Sequence, residues 1–312
     1  MNASDDAARV VVFNPHPLLG VTIERRGSDA DDVHFHAAGQ GVWVANMAGE
    51  MGAEPVLCAF NGGEPGRLLG PLLDQLHGER RLIETSAATG CYVIDRRSGE
   101  REFVAQAFSD PPSRHELDDL FSITCAAALN AKVLMVCGAL PQDAIPVETF
   151  GNLVRDVHAA SDTKVVTDIS SPQLDAALEG KPDIVKLDDW QLAVSTGRDL
   201  TSDEVIWDAC AEIVERGART VVFTRGEDPS LVCTADRRWE LIPPRFERGA
   251  SEGSGDSMVG AMCAALAREM EIEHVLRLGA AAGATNFLRH GLGSGDRSVV
   301  EELVKKVELR EL

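Results

Sequence analysis

TKVVTDISSPQLDAALEGKPDIVKL, residues 163–187, reads as strand, helix, strand. Its two ends are short runs rich in Val and Ile, and the segment between them has the length and periodicity of a helix. The same alternation recurs along the chain: RVVVFN (9–14), EPVLCAF (54–60) and AKVLMVCGAL (131–140) on one side, RTVVFTRG (219–226) on the other. Val-rich strands with little polar alternation are buried on both sides. The pattern therefore predicts an α/β fold with a mostly parallel central sheet and helices on both faces. Two regions depart from it. Residues 18–36 and 81–107 read as alternating strands joined by Arg-Arg-Gly-Ser and Arg-Arg-Ser-Gly turns, a small antiparallel sheet suited to be a lid. From about residue 256 the pattern is helical throughout, ending in the amphipathic RSVVEELVKKVEL (297–309). With no internal repeat and no low-complexity linker, one domain over residues 1–312 is expected.

At 312 residues, 44% apolar and 26% charged, the chain is long enough to bury a substantial core. Its formal charge of −20 repels nucleic acid and anionic membrane, so an anionic ligand needs a local pocket of donors. The seven cysteines show no C-x-x-C or zinc spacing and read as buried free thiols of a reducing cytoplasm. The start, MNASDDAAR, lacks the apolar core of a signal peptide, and ITCAAALNAKVLMVCGAL is interrupted by Asn130 and Lys132. A cytoplasmic protein with no membrane span is expected.

Gly-Ser-Gly-Asp occurs twice, at 253–256 and 293–296. Small residues before a helix let a ligand approach the unpaired N–H groups of its first turn, which together with the helix dipole attract an anion. An aspartate there repels a bound phosphate unless it has work to do, and accepting the proton of an attacking hydroxyl is such work. The alternative is that Asp256 only caps its helix. Residues 257–266 are small or apolar, a helix buried all round, whereas the helix after the second copy carries Arg297, Glu301, Glu302, Lys305 and Lys306 and reads as a capped surface helix. No G-x-x-x-x-G-K-[ST] is present, the one Gly-Lys (180–181) running into proline, and no G-x-G-x-x-G follows the first strand.

Further segments join the first: Asn14-Pro15, Gly39-Gln40-Gly41, Gly62-Gly63-Glu64-Pro65-Gly66, Cys137-Gly138, Thr167-Asp168, Lys186-Leu187-Asp188-Asp189 and Thr224-Arg225-Gly226. Nearly all follow a strand's carboxyl end or open a helix, and open α/β sheets bind ligands along that edge. With GAAAGATNFLRHG (279–291), this ordered set resembles the phosphofructokinase-B group of ribokinase-like carbohydrate kinases over nearly the whole chain. The likeness is greatest to fructose-1-phosphate and tagatose-6-phosphate kinases. The resemblance implies a ribokinase-like fold with a β-lid and an ATP-dependent kinase acting on a sugar or sugar phosphate, with ATP and Mg2+ as cofactors. It places Asp256 on the catalytic base and Gly253, Ser254 and Gly255 on the anion hole. Lys186, Thr224, Gly226, Gly283 and Asn286 fall on the ATP side; Asn14, Gly39, Gln40, Gly41, Trp43 and Gly138 fall on the substrate side. Asp188 falls where a carboxylate can hold Mg2+ through water, and the lid where family members pair as homodimers.

The departures are specific. Asn14-Pro15-His16-Pro17-Leu18 lacks the family's substrate-hydroxyl aspartate, and Ala38-Gly39-Gln40-Gly41-Val42-Trp43 replaces Gly-Gly-Lys-Gly-x-Asn. The lid reads Ala88-Thr89-Gly90-Cys91-Tyr92-Val93 where Arg, Asn and Lys meet a sugar phosphate. Asp188-Asp189-Trp190-Gln191 replaces Asn-x-x-Glu, leaving Asp188 open to a metal role or to a helix-start role. Trp43 can stack on a ligand ring or fill space. His34 and His36 share a strand face, as a metal pair or as lid surface. The rivals to a sugar kinase are a nucleoside or other small-molecule kinase of the same fold and a nucleotide-binding regulatory homologue without catalysis.

Overall fold

Val10 and Val12 enter one core and Val11 and Phe13 another, because successive side chains of a strand point to opposite sides. That split explains why the first strand has no polar alternation. The computed structural model describes residues 8–27, 30–247, 249, 251–288 and 295–312. Expectations placed on residues 1–7, Ser28, Arg248, Ala250 and 289–294 lie outside the described residues.

In chain order the strands are β1 (Arg9–Asn14), β2 (Leu18–Arg26), β3 (Ala30–Ala38), β4 (Glu54–Gly62), β5 (Glu79–Thr85), β6 (Gly90–Asp95) and β7 (Glu102–Ala107). They continue with β8 (Val133–Cys137), β9 (Lys164–Asp168), β10 (Ile184–Leu187), β11 (Thr220–Arg225), β12 (Asp228–Cys233), β13 (Arg238–Ile242) and β14 (Glu308–Glu311). The helices are α1 (Gln40–Glu50), α2 (Gly63–Leu73), α3 (Arg114–Ala128), α4 (Glu148–Ala160) and α5 (Gln173–Glu179), then α6 (Asp189–Thr196), α7 (Asp203–Glu215), α8 (Ser254–Ala267), α9 (Ile272–Phe287) and α10 (Arg297–Val304).

Among the described residues, ten strands form one sheet in the order β14-β13-β12-β11-β10-β9-β8-β1-β4-β5. It is parallel from β5 to β11 and antiparallel from β11 to β14. Helices α1, α8, α9 and α10 cover one face, and α3 to α7 the other. The chain leaves β1 toward β4 and later returns to its other side at β8. That reversal opens a crevice at the carboxyl ends of β1 and β8.

Three boundaries differ from the sequence reading. Residues 81–85 belong to β5 of the main sheet, where Ala59 pairs with Leu82, and not to the small one. Leu82 packs on one core and Ile83 on the other, both partly buried, so the run is the edge strand of the main sheet, brought parallel to β4 by the α2 crossover. The small sheet, β3-β2-β6-β7, spans residues 18–38 and 90–107 and is mixed, since β6 runs parallel to β2. The chain visits the main sheet between the two strands and comes back in the same direction. Finally, the helical pattern at the end stops at Val304, and Glu308–Glu311 pairs with β13.

Candidate active site

The start of α8 defines the site. Gly253 is its N-cap at φ 74°, ψ 0°, a left-handed conformation that an L side chain adopts only with strain, and no side chain caps the helix. Asp256 therefore lies inside the first turn and is not the cap, which removes the capping alternative. Ser254 gives its amide to the Ser251 carbonyl at 3.1 Å and Ser257 gives its amide to Gly253 at 2.9 Å. Among the described residues, the Gly255 and Asp256 amides between them make no bond to the protein, so they are the donors a ligand can use. Residues Ser257 to Ala265 are all buried, as the apolar sequence implied.

Lys186 enters from β10. Its Nζ lies 3.3 Å from Asp168 Oδ2, and both side chains are almost wholly buried. A Cβ built on Gly255 would come 3.1 Å from that Nζ, so glycine there leaves the ammonium facing the helix start. Burial opposes the Lys186 charge, but Asp168, Asp188 and Asp256 outweigh it and hold the ammonium above its ordinary value. Asp256 moves the other way. Burial first, then repulsion from Asp168, raise its carboxyl to about 7 against the pull of Lys186.

The surrounding bonds fix this cluster. Asp188 is the N-cap of α6: its Oδ1 accepts from the Gln191 amide at 2.8 Å, and Gln191 Oε1 accepts from the Asp188 amide at 2.8 Å. The helix-start role is thus filled, while its second oxygen has no partner among the described residues. Gln191 also donates to Asp168 Oδ1 at 2.8 Å, strapping α6 to β9. Replacing Gln191 with Ala frees Asp168 and breaks the capping box, so a loss of about 1 kcal/mol in denaturant midpoint experiments is expected. Asn286, buried on α9, donates to the Glu252 carbonyl at 2.8 Å, and a Cβ on Gly283 would sit 3.1 Å from the Ser254 carbonyl. Both residues shape the loop before α8. Thr224 and Gly226 lie at the end of β11 and its turn; Thr224 Oγ1 donates to the Leu187 carbonyl at 3.4 Å, and Gly226 has φ 62° with open space around it.

On the substrate side, Gln40 Nε2 donates to the Asp168 carbonyl at 2.9 Å, and its Oε1 accepts from the Gly138 amide at 3.2 Å. It ties β8 to β9. Asn14 packs against Gly41, where a Cβ would come 2.5 Å from its Cβ, and Gly39, at φ 100°, lies beside the His16 carbonyl. Trp43, partly buried, packs between the main core and the small sheet. His36 Nε2 meets the Tyr92 hydroxyl at 3.1 Å across Gly20, whose missing Cβ makes room for the ring, and His34 faces Asp32 and Glu24. No group of three metal-ligating side chains forms there among the described residues.

Five buried polar atoms have no protein partner among the described residues: Asn14 Nδ2, His16 Nε2, Asn61 Oδ1, Thr167 Oγ1 and Ser257 Oγ. All belong to the carboxyl ends of β1, β4 and β9 or to the first turn of α8. Buried polar groups are otherwise satisfied, so an unpaired set on one edge marks where a polar ligand completes the structure. Burial pushes the His16 ring down to about 4, leaving it neutral. Sequence reading missed Asp168 as the partner of Lys186, although an acid ending the apolar run VVTD was a signal. It also missed Arg101, whose guanidinium reaches Glu252, the residue before the N-cap, at 3.7 Å. Nothing in the sequence pairs two residues so far apart.

The family model for pfkB carbohydrate kinases matches residues 18–298. The chain is 27% identical over 313 residues to 1-phosphofructokinase of Vibrio cholerae, with 97% of each chain covered. It is 28% identical over 264 residues to ATP-dependent 6-phosphofructokinase isozyme 2 of Escherichia coli, covering 82% of this chain and 83% of the relative. Its fold matches the crystal structure of Escherichia coli phosphofructokinase-2 with a TM-score of 0.85 at 24% identity, covering 96% and 98%. Ribokinase of Arabidopsis thaliana matches with a TM-score of 0.70 at 19% identity, covering 95% and 98%. The match to the family model over residues 18–298 makes the chain a carbohydrate kinase of ribokinase-like fold. The chain belongs to the pfkB family.

Proposed function

We propose that this kinase transfers the γ-phosphoryl group of MgATP to a hydroxyl of a sugar phosphate. The supporting observation is one cluster: the unbonded Gly255 and Asp256 amides, the Lys186 ammonium beside them, and a carboxyl raised to about 7 in the same turn. The amides and Lys186 hold the transferring phosphoryl group, whose charge they offset in a site partly shut from water. Asp256 accepts the proton as the acceptor oxygen bonds to phosphorus and the bond to the β-phosphate oxygen breaks, releasing ADP. A pKa near the working pH suits a group that must be unprotonated before the step and protonated after it.

The carboxylates present fit Mg2+ held through water. Asp188 keeps one oxygen without a partner among the described residues, whereas both oxygens of Asp168 are engaged by Gln191 and Lys186. When bound, the ion neutralises triphosphate charge. Lys186, Thr224, Gly226, Gly283 and Asn286 form the ATP side in this reading. Asn14, Gly39, Gln40, Gly41 and Gly138 form the acceptor side, Gln40 and Gly41 by positioning it. The names of the relatives favour a phosphorylated sugar as acceptor. Coupled ADP release across sugars, sugar phosphates and nucleosides tests this: a sugar phosphate is expected to exceed the unphosphorylated sugar in kcat/KM by about 100-fold, the worth of one charge-assisted contact. A nucleoside as the best acceptor overturns it.

The small sheet is the lid in this reading. Tyr92 and Ile94 face the body of the protein with Ala38, while Val21, Ile23, Val33, Phe35 and Val93 line its other face. Phe35 is 52% exposed and Val33 49%. An apolar sheet face of this kind fits its own copy about a twofold axis, giving a homodimer through the lid. Phe35→Asp is expected to convert the dimer to monomer in sedimentation velocity; an unchanged dimer removes the lid from the contact.

A further inference from the structure

At the opposite edge of the main sheet, where β8, β9 and β10 begin, lies a cavity of about 730 Å3. That volume is within the range of small-molecule sites. Three of the chain's six lysines, Lys132, Lys164 and Lys181, line it together with Arg219. Their four charges meet three carboxylates, Asp162, Asp183 and Glu269, which leaves +1 in a chain whose total is −20. The pairing is also unequal. Asp183 alone is shared by Arg219 at 2.9 Å, His158 at 3.2 Å and Lys164 at 3.3 Å. One carboxylate cannot neutralise both Arg219 and Lys164, even before any charge on His158 is counted. Lys132 pairs with Glu269 at 2.9 Å, but the Lys181 ammonium has no partner among the described residues.

Lys181 is held at φ 58°, a conformation glycine would take without strain, between Gly180 and Pro182. The cavity also has an apolar side, Leu266 from the last turn of α8 and Met270 just beyond it. Cations over an apolar floor suit a phosphate on an organic body better than a bare anion. Three elements reach from here to the catalytic end. α8 ends at Leu266 and Ala267 and carries Asp256 in its first turn, roughly 15 Å away along the helix axis. β9 runs from Lys164 to Asp168, and β10 follows Asp183 and carries Lys186.

We infer that this cavity is a second ligand site, which takes a small phosphomonoester and transmits its occupancy to the catalytic end through α8, β9 and β10. The transmission rests on the kinase reading above; the binding does not.

Lysine acylation of the full chain, read by peptide mass spectrometry, tests the binding with phenyl phosphate, inorganic phosphate and phenol as probes. Phenyl phosphate is expected to slow acylation of Lys164 and Lys181 by about tenfold and to leave Lys305 and Lys306 unchanged, with inorganic phosphate weaker and phenol without effect. Lys181→Gly is expected to keep or raise Tm, because the backbone strain is relieved, while weakening phenyl phosphate binding about tenfold. Lys164→Gln is expected to weaken it similarly. Absence of protection at millimolar phenyl phosphate, or equal protection in both variants, overturns the site. Protection by inorganic phosphate as strong as by phenyl phosphate overturns the apolar half of the recognition. Saturating phenyl phosphate is expected to change the KM for ATP or acceptor at least about fivefold in the wild type and not in Lys181→Gly. Protection with unchanged kinetics overturns the transmission alone.

Discussion

Asp256→Asn is expected to lower kcat by about 1,000-fold or more while leaving the Kd for ATP within about threefold, measured by ADP release and titration calorimetry. The amide keeps the size and the helix but cannot take the acceptor's proton. The same variant is expected to be more stable than the wild type. A carboxyl whose folded pKa is raised from 3.8 to about 7 opposes folding once pH passes its unfolded value, and does so fully above about 7. Asparagine carries no such charge. The variant should match the wild type near pH 4 and exceed it at pH 8, by up to about 4 kcal/mol for a shift of about three units. Loss of activity together with gain of stability is the signature of a group held in an unfavourable site for its chemistry. A variant equally stable at both pH values would mean Asp256 is not so placed.

Lys186→Met is expected to damage both stability and activity. It leaves Asp168 buried beside Asp256 with no cation between them, and breaking a buried pair costs about 3–5 kcal/mol. It also removes a positive charge from the phosphoryl position, so kcat/KM should fall about 100- to 1,000-fold. A double variant separates the two effects. Adding Asp168→Asn to Lys186→Met removes the orphaned charge, so the denaturant midpoint should return most of the way while activity stays low. Recovery of activity along with stability would mean that Lys186 serves only the fold.

The sheet was legible in the sequence because its strands are buried on both sides. RVVVFN and PDIVKL carry the signal in their composition alone. The small sheet was legible as two exceptions to the helical alternation, but β5 was misplaced with it. RRLIET has the half-polar look of an exposed strand, and only the α2 crossover, a matter of three-dimensional path, puts it beside β4. The GSGD at 253–256 was separable from its copy because residues 257–266 are small or apolar on every side, which only a buried helix can be. Asp168 and Arg101 were harder. Their roles depend on Lys186 and Glu252, which the fold and not the local pattern brings near. Trp43 had two open readings in sequence, and its local pattern did not carry the packing against both the main core and the small sheet that the fold gives it.

The pH dependence of kcat/KM for the wild type, measured with saturating Mg2+ over about pH 5 to 9, tests the central claim most directly, since it reports the free enzyme's essential base. A base raised to about 7 gives a plateau above that pH and a fall of about tenfold per unit below it. A profile flat down to pH 5 would contradict the assignment, because the carboxylate in the first turn of α8 would then not be the group whose ionisation the reaction needs.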